Sequence, residues 1–196
     1  MCNSNDNNDE ILLAQIRECF GRVAYSHKTH EKQSDIFIKK DVFWKWVQII
    51  LSVILSSTLL LALIDLLGCV KWLSLIGVIL SAMLAAINLC FKNFNYRAEA
   101  QNHKEIAVQL WNIRENYISL ITDFMSKSTN FDSAKDIRDK QQEKLADIYK
   151  NAPRTSLKAY KLAQEALKIK EELTFSTSEI DMLLPNNLRL EKNKEI

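Results

Sequence analysis

The stretch Trp46–Ile64, WVQIILSVILSSTLLLALI, is followed closely by a second one, Trp72–Phe91, WLSLIGVILSAMLAAINLCF. Neither contains a formally charged side chain, although 26% of the residues in the chain are charged. A helix of roughly 20 apolar residues crosses the ~30 Å hydrocarbon core of a bilayer. Apolar side chains also surround each predicted helix on all sides, which favours two membrane spans over two buried helices of a soluble protein.

The connection between the two stretches is short and contains Gly68, which tolerates the positive φ of a chain reversal. Two helices joined so closely are predicted to be antiparallel neighbours. Basic residues are concentrated on the other side, before the first stretch and after the second. They are Lys28, Lys32, Lys39, Lys40, Lys45, Lys92, Arg97 and Lys104. This bias predicts an inner-membrane hairpin with both termini in the cytoplasm and Cys69 near the outer face.

Apolar residues recur at alternating three- and four-residue steps on both flanks of the hairpin, a heptad pattern typical of packed helices. Before the hairpin these positions are Leu13, Ile16, Phe20, Val23, His27 and His30. After it they are Ile106, Leu110, Ile113, Tyr117, Leu120 and Phe124. We therefore predict that each flanking helix continues directly into its span.

Polar runs and prolines divide the rest of the chain. The predicted segments are a cytoplasmic tail and helix (1–42), a first span (43–66), an outer turn (67–71), a second span (72–92), a cytoplasmic helix (93–125) and a C-terminal region (126–196). The tail over residues 1–9 is predicted to be disordered. In the C-terminal region Ser133 is predicted to cap one helix, and Pro153 separates it from another at 155–173. The predicted fold class is all-α, a two-span transmembrane hairpin extended by cytoplasmic helices.

The composition argues against an enzyme. Three glycines are too few for phosphate-binding loops or a dinucleotide fingerprint, and no catalytic motif is present. The four cysteines show no metal spacing. A net charge of +2 gives no reason to expect nucleic-acid binding. We expect no catalytic residue, no metal and no cofactor.

Three histidines are candidates for a functional layer. His27 and His30 lie three residues apart on the first heptad pattern, and His103 lies near the second. If the hairpin is symmetric about Gly68, His30 lies within one helical turn of His103. Such a layer could respond to pH or hold a metal. The alternative is that all three are ordinary helix-surface histidines.

The two spans also carry polar stripes at four-residue steps. The positions are Gln48, Ser52 and Ser56 in the first span, and Gly77, Ser81, Ala85 and Asn88 in the second. The same symmetry places Gln48 opposite Asn88, so that the two amides can satisfy each other in lipid. The stripes either pack the hairpin or line a pore in a homo-oligomer, because a single hairpin cannot enclose a water-filled path.

Three segments resemble one known family. They are RVAYSHKTH (22–30), WNIRENY (111–117) and YKNAPRTS (149–156). With the order of helix, two spans and long helix, they make most of the chain similar to the SLATT family, two-transmembrane effectors associated with bacterial nucleotide-signalling domains.

The resemblance implies a membrane effector of antiviral or conflict systems that perforates the inner membrane after an infection signal. It also implies partners encoded nearby, such as nucleotide-second-messenger synthases, nucleotide-sensing domains or reverse transcriptases. It provides no catalytic residues. The alternative function is a non-conducting membrane scaffold that anchors a cytoplasmic helical platform.

Overall fold

The computed structural model describes residues 4–64, 71–93 and 95–190, and over these ranges the protein is all-helical. Its helices are α1 (Ser4–Ile64), α2 (Lys71–Asn93), α3 (Tyr96–Met125), α4 (Phe131–Asn151), α5 (Leu157–Lys168) and α6 (Thr177–Leu183). A short 3₁₀ helix, Asn186–Leu188, follows α6. The predicted all-α class is confirmed, whereas the predicted turn around Gly68 and Cys69 lies outside the described residues.

Helix α1 contains 61 residues and passes from the heptad-patterned segment into the first apolar stretch without interruption, as predicted. It begins at Ser4, so the predicted disordered tail is wrong from that residue onwards. Asp9 and Glu10 lie in its first turns, where negative charge interacts favourably with the helix dipole.

The predicted continuity between the second span and the following helix is wrong. Helix α2 ends at Asn93 and α3 begins at Tyr96. The side chain of Asn95 caps α3 by accepting a hydrogen bond from the N–H of Ala98 at 3.0 Å. A short amide side chain can take this backbone donor from the helical pattern and so start a new helix.

Aromatic rings gather at this junction. The ring centroids of Trp44 and Phe91 are 6.4 Å apart, and those of Phe91 and Tyr96 are 6.3 Å apart. Phe37 stacks on Tyr96, and the ammonium group of Lys40 lies 5.8 Å from the Tyr96 ring centroid. The cluster therefore joins α1 to both helices that meet at Asn95.

The core lies between α1 and α3. His30 contacts His103 and Ser34 contacts Ala100, so the two helices are antiparallel. All six heptad positions predicted on α3 are buried, which confirms that pattern. On α1 the buried residues of this core are Leu12, Ile16, Cys19 and Val23, while the predicted Leu13 and Phe20 are only partly buried against it.

The C-terminal helices pack on this pair, and their ends differ from the predicted ones. Asn130, not Ser133, caps α4, because its side chain accepts a hydrogen bond from the N–H of Ser133 at 2.9 Å. Helix α5 ends at Lys168, five residues before the predicted end at 173, and Glu171 then adopts a φ of 49°. Helix α6 was not predicted, although Ser176 and Glu179 form a capping box at its start.

Among the described residues, one helical segment, which starts at Leu75, is long and apolar enough to cross a membrane by length and composition. None of its apolar window is buried. Large apolar side chains are exposed on the facing part of α1 as well as on α2. Examples are Phe43, Trp46, Ile49, Ile50, Val53, Val78, Ile79, Met83 and Leu89. An exposed apolar surface of this extent is typical of contact with lipid or with another protein.

Candidate functional site

Two of the three predicted histidines are in direct contact. The Nδ1 atoms of His30 and His103 are 3.0 Å apart, and both side chains are buried between α1 and α3. At this distance one ring donates its N–H and the other accepts. A metal ion bridging both atoms would need roughly 2 Å to each nitrogen and hence a wider gap. No cluster of three ligand-type side chains that could hold a metal occurs in the described part of the chain.

The surroundings of this pair keep it neutral. Burial is the main cause that lowers the pKa of His30, to about 4, and the neighbouring His103 lowers it further. Burial also lowers the pKa of His103, with Glu99 opposing this effect. The ring of Phe37 stacks on His103 at 5.6 Å between centroids. The pair thus forms a polar contact within an apolar layer and gains a charge only at acidic pH.

The predicted pairing across the two spans is also present. The Nε2 group of Gln48 donates a hydrogen bond to Oδ1 of Asn88 at 2.7 Å. The serines of the stripes are exposed and bond to their own helices. Ser52 donates to the carbonyl of Gln48, Ser56 to that of Ser52 and Ser81 to that of Val78. Gly77 is half-buried and Ala85 is exposed. The role of these residues in packing or pore lining stays a prediction.

A cavity of about 580 Å³ lies between α1 and α3, beside the histidine pair, and was not predicted. Its wall contains four cationic side chains, two carboxylates and the indole of Trp111. The cations are Lys28, Lys32, Lys104 and Arg114, and the carboxylates are Glu31 and Asp35. The sequence could have indicated the two α1 lysines, because Lys28 and Lys32 are four residues apart and therefore share one face of the helix.

Glu172 neutralises two of these cations. Its Oε2 lies 2.8 Å from Nζ of Lys28 and 2.9 Å from Nζ of Lys32. Hydrogen bonds from these two lysines are the main cause that lowers the pKa of Glu172 to about 2. Burial alone lowers the pKa of Lys28, but its hydrogen bonds to Glu172 and Glu31 outweigh burial and raise it. The segment after α5 is therefore held on α1 by a carboxylate.

Two single atoms of residues in the cavity wall make no hydrogen bond, although the other guanidinium nitrogens of Arg114 donate to Glu115. Nδ1 of His27 and Nη1 of Arg114 are buried and make no hydrogen bond. His27 as a whole is only 4% exposed. Its other ring nitrogen, Nε2, lies 3.7 Å from Glu31, and burial is the main cause that lowers the pKa of His27. Buried polar groups are normally paired, so these two atoms are exceptions among the described residues.

The three segments that resemble the known family lie next to one another. The hydroxyl of Tyr149 donates to Oγ of Ser26 at 2.7 Å, which joins the third segment to the first. The backbone N–H of Ser156 donates to Oε1 of Gln33 at 2.9 Å. Lys28 of the first segment and Arg114 of the second line the same cavity. The resemblance therefore describes one connected region around α1.

A family model described as "SMODS and SLOG-associating 2TM effector domain family 4" matches residues 12–179. This match includes all of the cavity, the histidine pair and both apolar stretches. No curated protein and no solved structure is significantly similar to the chain.

Proposed function

The chain belongs to the SMODS and SLOG-associating two-transmembrane effector (SLATT) family, and we propose that it permeabilises the bacterial inner membrane as a homo-oligomer in an antiviral or conflict system. Effector membership and membrane association follow from the family. We propose in addition that the protein conducts ions, that it does so as a homo-oligomer, and that a signal triggers it. The observation that carries it is the exposed apolar surface on α1 and α2, with one amide pair between them.

The proposed topology is multi-pass with both termini in the cytoplasm. Lysines and arginines lie before the first apolar stretch and after the second, whereas the connection between the stretches carries only Lys71 and Asp65. This distribution supports a cytoplasmic body by the positive-inside rule. The aromatic cluster of Trp44, Phe91 and Tyr96 supports an inner interface at the α2–α3 junction, because aromatic rings favour the headgroup level.

The proposed pore requires several copies. One hairpin cannot enclose water, so the stripes must face a lumen that several subunits enclose together. Ser52, Ser56 and Ser81 are exposed on the hairpin surface and are available as a lining. Such a lining carries no ring of charge and selects weakly between ions. A nucleotide signal or a partner protein encoded nearby opens the pore from a closed resting state.

A non-conducting scaffold is the second candidate, and one observation favours it. The serine hydroxyls of the stripes already donate to carbonyls of their own helices. They consequently need no water-filled path. In this alternative the hairpin only anchors the helical body formed by α1, α3, α4 and α5 to the lipid bilayer.

Membrane depolarisation in bacterial cells that express the full chain tests the proposal. We expect expression to depolarise the membrane, and Ser52→Leu or Ser81→Leu to reduce this effect several-fold because an apolar lining dewets the pore. Ser57→Leu is the matched control, since Ser57 is exposed, bonds to the carbonyl of Val53 and lies off the stripe. Purified protein in liposomes, with the nearby partners and their signal, should leak ions. No leak together with a strictly monomeric state in detergent would establish the scaffold instead.

A further inference from the structure

The cavity between α1 and α3 has the chemistry of an anion site. Its cations come from both helices: Lys28 and Lys32 from α1, Lys104 and Arg114 from α3. Within the described residues, Glu172 neutralises the two α1 lysines although it lies 140 residues away from Lys32 in the chain. A carboxylate placed between two ammonium groups occupies the position that the oxygens of a bound phosphate would take.

The cavity also has room for a ligand larger than one carboxylate. Its volume of about 580 Å³ lies within the roughly 300–1,000 Å³ of small-molecule sites. Lys104 adds a further cation to the wall, whereas the guanidinium of Arg114 is already paired with Glu115. The indole of Trp111, 46% exposed, forms part of the wall beside Val108 and Ile38. An aromatic face next to cationic donors suits a flat heterocycle joined to a phosphate.

We propose that this cavity binds a nucleoside monophosphate, with the phosphate held by Lys28 and Lys32 and the base against Trp111. The inference specifies the signal in the proposed function and relies on that function only for its biological consequence. Glu172 must leave the two lysines when the phosphate enters. Ligand binding then breaks the ion pairs that hold the segment after α5 on α1.

A free ligand fits this site better than a lipid headgroup. Lys28 precedes Phe43, where the first apolar stretch begins, by 15 residues of continuous helix. At 1.5 Å per residue this places the phosphate position roughly 20 Å from the proposed membrane surface. A headgroup would have to leave the interface to reach it.

Isothermal titration of the purified full chain in detergent with AMP, GMP, CMP and UMP tests the proposal. At least one nucleotide should bind with one ligand per chain. Lys32→Gln and Trp111→Leu should each weaken its binding about tenfold, through loss of a charge-assisted hydrogen bond and of stacking. Glu172→Gln should strengthen it several-fold, because the neutral amide competes less for the lysines. Lys144→Gln, at an exposed position on α4, is the control and should change nothing.

Several results would overturn the proposal. Absence of heat for all four nucleotides excludes the site. Unchanged affinity in Trp111→Leu excludes a nucleoside, and weaker binding in Glu172→Gln excludes displacement of the carboxylate. Nanodiscs of phosphatidylglycerol should bind nucleotide as those of phosphatidylcholine do, and loss of binding in the anionic lipid would assign the site to headgroups. Thermal melting verifies that each variant is folded. The titration measures nucleotide binding and not ion flux. A negative titration would therefore reject the nucleotide site without rejecting membrane permeabilisation, which the depolarisation experiment tests.

Discussion

At the residue scale, one hydrogen bond holds the two apolar helices in register. Gln48 on α1 and Asn88 on α2 are 40 residues apart in the chain, and their amides meet at 2.7 Å. In lipid an unpaired amide is costly, so each side chain fixes the position of the other. The neighbouring serines provide no such register, because they bond to carbonyls of their own helix.

Replacement of both amides should lower the free energy of unfolding by less than the sum of the two single replacements. Gln48→Leu or Asn88→Leu leaves one amide without its partner, whereas the double variant removes both. We expect a coupling free energy of roughly 0.6 kcal/mol and at most about 2 kcal/mol. Unfolding in detergent by denaturant measures it. Gln48→Leu with Ser81→Leu is the control pair and should be additive, and additivity in the Gln48–Asn88 cycle itself would contradict the contact.

At the element scale, helix ends decide the architecture. Asn95 separates α2 from α3, and Ser156 starts α5 with its hydroxyl on the N–H of Ala159 at 3.2 Å. Helix α3 ends in a different way. Lys127 adopts a φ of 59°, and the N–H of Ser128 donates to the carbonyl of Asp123. This left-handed position beyond the last turn is one that glycine occupies at lower cost.

Lys127→Gly should therefore stabilise the protein. A lysine in the left-handed region costs roughly 1–2 kcal/mol relative to an unstrained residue. Glycine removes this strain, but it also gives the unfolded chain more conformational freedom, which offsets part of the gain in stability. We expect a net gain of about 0.5–1 kcal/mol, visible as an increase of a few degrees in the melting temperature. Ser128→Gly has no positive φ to relieve and should give no gain. A lower melting temperature for Lys127→Gly would contradict the assigned conformation.

At the scale of the whole molecule, the packing of α1 on α3 holds the helical body together. Its apolar end is formed by residues such as Ile16, Leu110 and Tyr117, none of which is accessible to solvent. Towards the membrane the interface becomes polar, with His30 on His103 and Ser34 on the carbonyl of Ala100. The stability of the body therefore depends on pH through the histidine pair.

Acidification should destabilise this body. In the folded protein the pKa of His30 is about 4, below its ordinary value of 6.5. Between these two values the unfolded chain binds more protons, so stability is complete above pH 6.5 and is lost as the pH falls towards 4. The loss should be roughly 1–3 kcal/mol. Thermal melting between pH 7.5 and pH 5 measures it, and the double variant His30→Gln, His103→Gln should lose clearly less over the same range. An equal loss in that variant would assign the effect to other groups.

The candidate site could be predicted only in part. The mirror symmetry of two connected helices correctly places His30 within one helical turn of His103 and Gln48 opposite Asn88, because each helix rises evenly along its axis. The cavity escaped this reasoning. Two of its lysines, Lys28 and Lys32, are paired with Glu172. Glu172 follows the turn at Glu171, which no periodicity in the sequence indicates.

By itself, the sequence determined the all-α class, the two charge-free stretches and the buried face of α3, since periodicity and charge segregation are local properties of the chain. The resemblance to the SLATT family was likewise present in three short segments. The sequence also contains the side-chain cap that begins a new helix at Asn95. The tertiary structure alone decided the burial of Cys19 in place of Phe20 and the cationic cavity. Each depends on competition between a local preference and the packing of distant helices, and packing energies exceed local propensities.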